Sequence, residues 1–193
     1  MDTYNIWTIG CQMNKADSER LGSALDQMSL SSVDSPEDAD VVVVNSCVVR
    51  KSAEDKVTGM LTRLNGFKKN NPSQVIALMG CMVGPRQENL QKQFPYVDVF
   101  MRPQDYDPLL QLIGLKTGID PDGCVGDLTA TPGVTAFIPI IHGCDKFCSF
   151  CIIPYRRGRE VSRTIDDIVR ETKLLVERGV KEITLLGQNV DSY

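Results

Sequence analysis

Cys144-Asp145-Lys146-Phe147-Cys148-Ser149-Phe150-Cys151 carries three thiols separated by three residues and then two. One short loop can turn all three into one small volume. Thiolates are the ligands of iron–sulfur clusters. Three of them hold three irons of a cubane and leave the fourth iron open to a small molecule. Phe150, just before the last cysteine, is placed to wall an apolar cofactor pocket. The competing reading is a zinc knuckle or unrelated buried cysteines. Zinc usually takes four ligands, and the spacing of His142 to Cys144 suits a fourth ligand poorly.

A second set of three is spread along the chain. Each member ends a β-rich apolar run: Tyr4–Ile9 before Gly10-Cys11, Val41–Ser46 before Cys47, and Val75–Gly80 before Cys81. Cys11 to Cys47 is 36 residues and Cys47 to Cys81 is 34, each about one β-α-β repeat. Parallel strands run the same way, so all three cysteines reach the carboxyl edge, where open α/β sheets bind ligands. Neighbouring strands are about 4.8 Å apart, which puts the trio within reach of one cubane. The alternative is three inert buried thiols, which their matching positions disfavour. Cys124 has no partner at ligand spacing and reads as structural. His142, the only histidine, reads as loop packing, with a cluster or cofactor contact as the other option.

The elements that position these residues follow from periodicity. Near-continuous Val/Ile runs suit strands buried on both faces of a parallel sheet. Leu21, Ala24, Leu25 and Met28 lie at helical spacing, as do Ala53, Val57, Met60, Leu61 and Leu64. Ser52 with Asp55 forms a capping-box pattern, and Gly84-Pro85 fits a helix start. A strand at Val97–Met101 and a short helix around Leu109–Ile113 complete an α/β domain over residues 1–115. Glycines and prolines make 116–134 a linker. Residues 135–193 then read as one β-α-β unit: a strand at Thr135–Ile141, a helix capped by Thr164 and Asp167 and stopped at Gly179, and a strand at Glu182–Gly187.

Composition narrows the class. Of 193 residues, 42% are hydrophobic and 24% charged, which argues against disorder. No apolar run approaches the roughly 20 residues of a membrane span, and no secretory signal opens the chain. Seven cysteines are too few for a disulfide scaffold. In a reducing cytoplasm such clusters point to metal or redox chemistry. With 21 basic and 25 acidic residues, the net charge of −4 gives no bulk field for nucleic acid. Local patches remain. Arg156, Arg157, Arg159 and Arg163 flank the cysteine loop, and Arg50 and Lys51 flank Cys47. They read as solvated faces or as holders of RNA phosphates. Gln188, after the last strand, reads as a cofactor contact or as core packing.

The motif order resembles the methylthiotransferases of the radical S-adenosylmethionine superfamily. The resemblance rests on Gly10-Cys11-Gln12-Met13-Asn14, Asn45-Ser46-Cys47-Val48-Val49-Arg50, Gly80-Cys81-Met82, and Gly143-Cys144 through Pro154-Tyr155. Arg157–Arg163 and Leu185–Val190 extend it, so it covers essentially the whole chain as an N-terminal portion of such an enzyme. Gln12-Met13-Asn14 is closest to the branch acting on N6-isopentenyladenosine in tRNA. The resemblance implies a flavodoxin-like parallel-sheet N-terminal domain, then the first β-α-β unit of a radical-SAM partial TIM barrel. It implies two [4Fe–4S] clusters, an auxiliary one on Cys11, Cys47 and Cys81 that donates sulfur, and a second on Cys144, Cys148 and Cys151 that binds S-adenosyl-L-methionine. It further implies a 5′-deoxyadenosyl radical acting at the adenine C2, a flavodoxin- or ferredoxin-type electron donor, and a cytoplasmic monomer with no membrane association. The length implies a chain inactive alone. The open alternatives are a relative acting on a ribosomal-protein aspartate or on threonylcarbamoyladenosine tRNA, and a non-catalytic iron–sulfur-binding fragment.

Overall fold

The computed structural model describes residues 1–47, 51–121 and 133–193, with the Lys51 side chain also left out. Five strands form one parallel sheet: β1 (Thr3–Ile9), β2 (Ser31–Ser32), β3 (Val41–Ser46), β4 (Val75–Gly80) and β5 (Val99–Met101). Their spatial order is β2-β1-β3-β4-β5, and every pairing is parallel. Every residue of β3 and β4 is buried, as runs covered on both faces require.

The period of two sorts these side chains between two cores. Val41, Val43, Ala77 and Met79 face α1 (Gln12–Gln27) and α4 (Asp107–Thr117), meeting Leu21, Leu25, Leu109 and Ile113. Val42, Val44, Ile76 and Leu78 face α2 (Lys51–Asn70), meeting Val57, Leu61 and Leu64. Each such buried aliphatic side chain contributes about 1.5–3 kcal/mol over an exposed one. A short helix, α3 (Glu88–Gln93), buries none of its residues.

The C-terminal part pairs β6 (Thr135–Pro139) in parallel with β9 (Glu182–Leu186). Between them lie the short antiparallel pair β7 (Ile141–His142) and β8 (Val161–Ser162), the five-residue α5 (Ile153–Arg157), and α6 (Ile165–Glu177). The Thr164 Oγ1 accepts the Asp167 N–H at 3.2 Å and caps α6. Gly179, with φ +98°, follows its end. Leu175 packs with Ala136, Ile138 and Ile141. Met13 and Ala16 of α1 meet Leu186 and Phe137, so α1 lies between the two sheets.

Several local expectations shift. Helix α2 already includes Lys51, so Ser52 lies inside its first turn and is not the cap. The helix after Cys81 starts at Glu88, because the Gly84 loop is occupied by Arg156: a Cβ on Gly84 would lie 1.9 Å from Arg156 Nη1. Helix α4 continues through Thr117 to a left-handed Gly118, past the expected end at 115. The strand expected over 135–141 breaks at Ile140. There the chain leaves β9 for β8, and the Ile140 carbonyl accepts the Arg163 N–H at 2.9 Å. The edge strand β2 and helix α5 carried no sequence signal strong enough to read. Cys124 and most of the 116–134 segment lie outside the described residues. No helix among the described residues is long and apolar enough to cross a membrane.

Candidate functional site

Register sets the first thiol trio. Ile9 pairs with Ser46, and Ser46 pairs with Gly80, so β1, β3 and β4 end at one level. Cys47 and Cys81 are the next residues on their strands. Cys11 lies one residue further on and caps α1, its carbonyl accepting the Lys15 N–H at 3.2 Å. The Cys81 N–H donates to the Ser46 carbonyl at 2.9 Å, tying the two ends together. Gly80 takes φ +102°, and a Cβ there would sit 2.3 Å from the Ser46 carbonyl oxygen. Only glycine fits this approach. Cys11 and Cys47 line a cavity of about 340 Å³ with Ser52 and Lys56, and Cys81 lies close enough for both thiols to act electrostatically on it.

A buried polar clamp holds this edge. Asn14 and Asn45 are fully buried. Asn14 Nδ2 donates to Asn45 Oδ1 at 3.0 Å and to the Ser46 carbonyl at 3.1 Å. Asn45 Nδ2 donates to the Asn14 carbonyl and to Ser18 Oγ, both at 2.8 Å. The Cys11 thiol and backbone N–H both donate to Asn14 Oδ1 at 3.2 Å. These bonds join the start of α1 to the end of β3 beside the thiols. Leaving such buried groups unpaired costs about 1–3 kcal/mol each, so the clamp specifies one geometry.

Arg157 of α5 links the two halves of the molecule. Its side chain is 2% exposed, pairs with the equally buried Asp17 of α1 at 2.8 Å, and lies close enough to Cys81 for the two to act electrostatically on each other. Burial alone would lower its pKa, but Asp17 and Cys81 more than offset this and raise it. Burial pushes the Cys81 thiol up, with Arg157 pulling the other way. The Tyr106 hydroxyl donates to the Asp17 carbonyl at 3.2 Å. Nearby, Glu171 of α6 is buried between Arg20 and Arg163, the latter at 2.6 Å. His142 hydrogen-bonds Gln104 through Nδ1. Burial and then Arg20, Arg157 and Arg163 lower its pKa to about 4, so the ring is neutral at pH 7. Gln104 Nε2 is a donor, so Nδ1 accepts and the ring proton sits on Nε2.

The second trio is local. The Cys151 N–H donates to the Cys148 carbonyl at 2.9 Å, closing a turn. Cys148 is exposed, and Cys144 and Cys151 are half-buried. Gly143, at φ +68°, lets the loop enter against the Arg159 carbonyl, 2.0 Å from where a Cβ would stand. The Arg159 guanidinium grips Asp145 through two bonds, at 2.7 and 3.0 Å.

Among the described residues, no three His, Cys, Asp or Glu side chains converge to chelate one metal ion. A multi-iron cluster is larger than an ion and takes ligands that stand apart. The donor sets fit one: three thiols at three strand ends around a cavity, and three on one turn, with thiolate as the ligand chemistry.

The remaining sequence candidates separate. Arg157 is corrected: enclosed by Asp17 and Cys81, it lies where no RNA reaches. Arg163 is engaged with Glu171 and with the Pro139 carbonyl at 3.0 Å. Arg159 is exposed and tied to Asp145. Arg156 lines a cleft with Arg86 and Arg102. Phe150 is 91% exposed, so in this chain it faces solvent and walls no closed pocket. Gln188 is half-buried, and its Oε1 has no hydrogen-bond partner among the described residues. Arg50 and the Lys51 side chain lie outside the described residues. Sequence reasoning assigned no site role to Asn14, Asp17, Asn45 or Gln104. Only the two asparagines had a signal, as neighbours of Cys11 and Cys47.

Residues 138–193 match the Radical SAM superfamily. The tRNA-2-methylthio-N(6)-dimethylallyladenosine synthase of Dehalococcoides mccartyi is 48% identical over all of this chain and 44% of its own length. That of Roseiflexus sp. is 44% identical over 98% of the chain and 40% of its own length. That of Bordetella pertussis is 44% identical over 97% and 45%. The chain thus spans less than half the length of these curated relatives. Residues 3–102, more than half of the chain, match the Uncharacterized protein family UPF0004, and the chain belongs to that family.

Proposed function

We propose that this chain is the N-terminal portion of a radical-SAM tRNA methylthiotransferase, acting on C2 of N6-isopentenyladenosine next to the anticodon. The observation that carries the reading is Arg157. It follows the second cysteine loop, pairs with Asp17 of α1 and acts electrostatically on Cys81 of the first trio, joining two thiol sets in one structure. The names of the relatives that match the whole chain supply the substrate.

Cys11, Cys47 and Cys81 would hold one [4Fe–4S] cluster, and Cys144, Cys148 and Cys151 the other. With S-adenosyl-L-methionine, these groups supply radical generation, sulfur and methyl. The protein's own part is positional. The Asn14–Asn45 clamp fixes the three strand ends. Arg157 sets its positive charge beside Cys81 and offsets thiolate charge. His142, neutral and bonded to Gln104, docks the second loop on the first domain without adding charge. Gln188 offers an unpaired carbonyl oxygen beside β9 for a cofactor donor.

The strand order β2-β1-β3-β4-β5 supports a flavodoxin-like first domain. The parallel β6-β9 pair with α6 between supports the opening unit of a partial barrel. The domain limits of 1–115 and 135–193, the external electron donor, the monomeric state and the cytoplasmic location belong to the same proposal.

Nucleoside analysis of tRNA from a strain lacking the gene tests it. The 2-methylthio group on N6-isopentenyladenosine should vanish and return when the gene is restored. Unchanged methylthio-adenosine overturns the reading. A lost modification on a ribosomal-protein aspartate or on threonylcarbamoyladenosine would transfer it to that relative.

A further inference from the structure

Arg86, Arg102 and Arg156 line one open cleft of about 660 Å³, together with Ile152, Pro154 and Tyr155. Its position is set by the fold. Arg86 comes from the loop after β4, Arg102 follows β5, and Arg156 lies on α5. Three arginines therefore line the seam between the two sheets. None of the ion pairs formed among the described residues includes any of the three. The other arginines beside the cysteine loop are all engaged: Arg157 with Asp17, Arg159 with Asp145, Arg163 with Glu171.

The cleft is also short of acceptors. Arg102 Nε and Arg156 Nε are shielded from solvent and have no hydrogen-bond partner among the described residues. Among the described residues, the Arg156 carbonyl takes a bond from Arg102 Nη2 at 3.3 Å. Buried donors without acceptors are costly, and three like charges in one cleft repel. An anion with several acceptor oxygens offsets that repulsion, and guanidinium forks match phosphate geometry.

The apolar wall narrows the class of anion. Tyr155 is 62% exposed and packs edge-on against Phe147, ring centroids 6.0 Å apart. An exposed aromatic held at a fixed angle beside a phosphate site is a stacking platform for an unpaired base. Ile152 directly follows Cys151, so whatever enters the cleft lies next to the second thiol trio.

We infer that this cleft binds the phosphate backbone of single-stranded RNA, with Arg86, Arg102 and Arg156 on phosphates and Tyr155 against a base. The inference rests on the RNA-modifying reading above and adds where the RNA lies.

The test uses the 193-residue chain and a short RNA hairpin with an unpaired loop, followed by fluorescence anisotropy at several salt concentrations. The R86Q/R102Q/R156Q variant should bind at least about tenfold more weakly, and its salt slope should fall by about 2, at 0.7 per lost single-strand phosphate contact. Y155A should weaken hairpin binding by about five- to fiftyfold, through loss of a stacked base. R86Q alone alters an exposed residue, so its loss of affinity cannot be ascribed to misfolding. The triple lysine variant should keep most binding, and R63Q, outside the cleft, should keep all of it. Equal binding and equal salt slope for the wild type and the triple glutamine variant overturn the site. So does a preference for fully paired duplex, or no RNA binding by the wild type. The nucleoside assay fails separately: a cleft that binds RNA in a protein whose loss leaves methylthio-adenosine intact removes the function and keeps the site.

Discussion

The two thiol trios are built in opposite ways. Cys144, Cys148 and Cys151 share one turn, and their proximity is local. Cys11, Cys47 and Cys81 come from three strands, and they meet only because β1, β3 and β4 are adjacent and end in register. The local site is accessible, with Cys148 exposed. In the assembled site Cys11 is exposed, while Cys47 and Cys81 are buried, at 8% and 2% exposure. A local site needs a loop to close. An assembled site needs the whole sheet, a polar clamp and a salt bridge from another part of the chain. Disturbing distant residues should therefore hurt the first trio and spare the second.

The largest expected effect is on iron. After anaerobic reconstitution the wild type should hold about eight irons, and the C11A/C47A/C81A variant about four. If the variant still held about eight, the division into two ligand sets would be wrong. Next comes Arg157. Replacing it by methionine leaves the Asp17 carboxylate buried without its partner, which should cost about 3–5 kcal/mol by denaturant unfolding. Adding Asp17→Asn should recover part of that loss. In the same variant, alkylation of Cys81 should quicken while Cys148 reacts as before; a uniform change at all six thiols would break the contrast.

Asn14→Ala should cost about 1–3 kcal/mol, because Asn45 and the Ser46 carbonyl lose their partner. Alkylation of Cys11 and Cys47 should rise in parallel, with Cys144 and Cys151 unaffected. The smallest effect belongs to the second unit. Thr164→Ala removes the α6 cap and should cost about 1 kcal/mol. It should leave the alkylation rates of the first trio unchanged; a change there would mean that the two regions are less separable than their construction implies.

Much of this architecture is legible in residue patterns because the forces behind it act locally. Four consecutive valines before Asn45 can be satisfied only by a strand covered on both faces. The Thr164 to Asp167 pattern marks a helix start, because a hydroxyl three residues before an N–H is positioned to bond it. The Gly84-Pro85 pair misleads for the opposite reason. It resembles a helix start, but the loop is shaped by Arg156, which is distant in sequence. Arg157 misleads likewise. Its neighbours Arg156 and Arg159 present it as part of a basic surface run, and only its partner on α1 puts it inside.

The sequence by itself determined the buried strands that end at the first trio, the thiol positions and the tight spacing of the second trio, because backbone periodicity and loop length act over a few residues. Tertiary structure alone decided which arginines are enclosed, which are tied to acids and which line a cleft outside the ion pairs of the described residues. Charge has no local signature, and its role is set by whichever group the fold brings within a few ångströms.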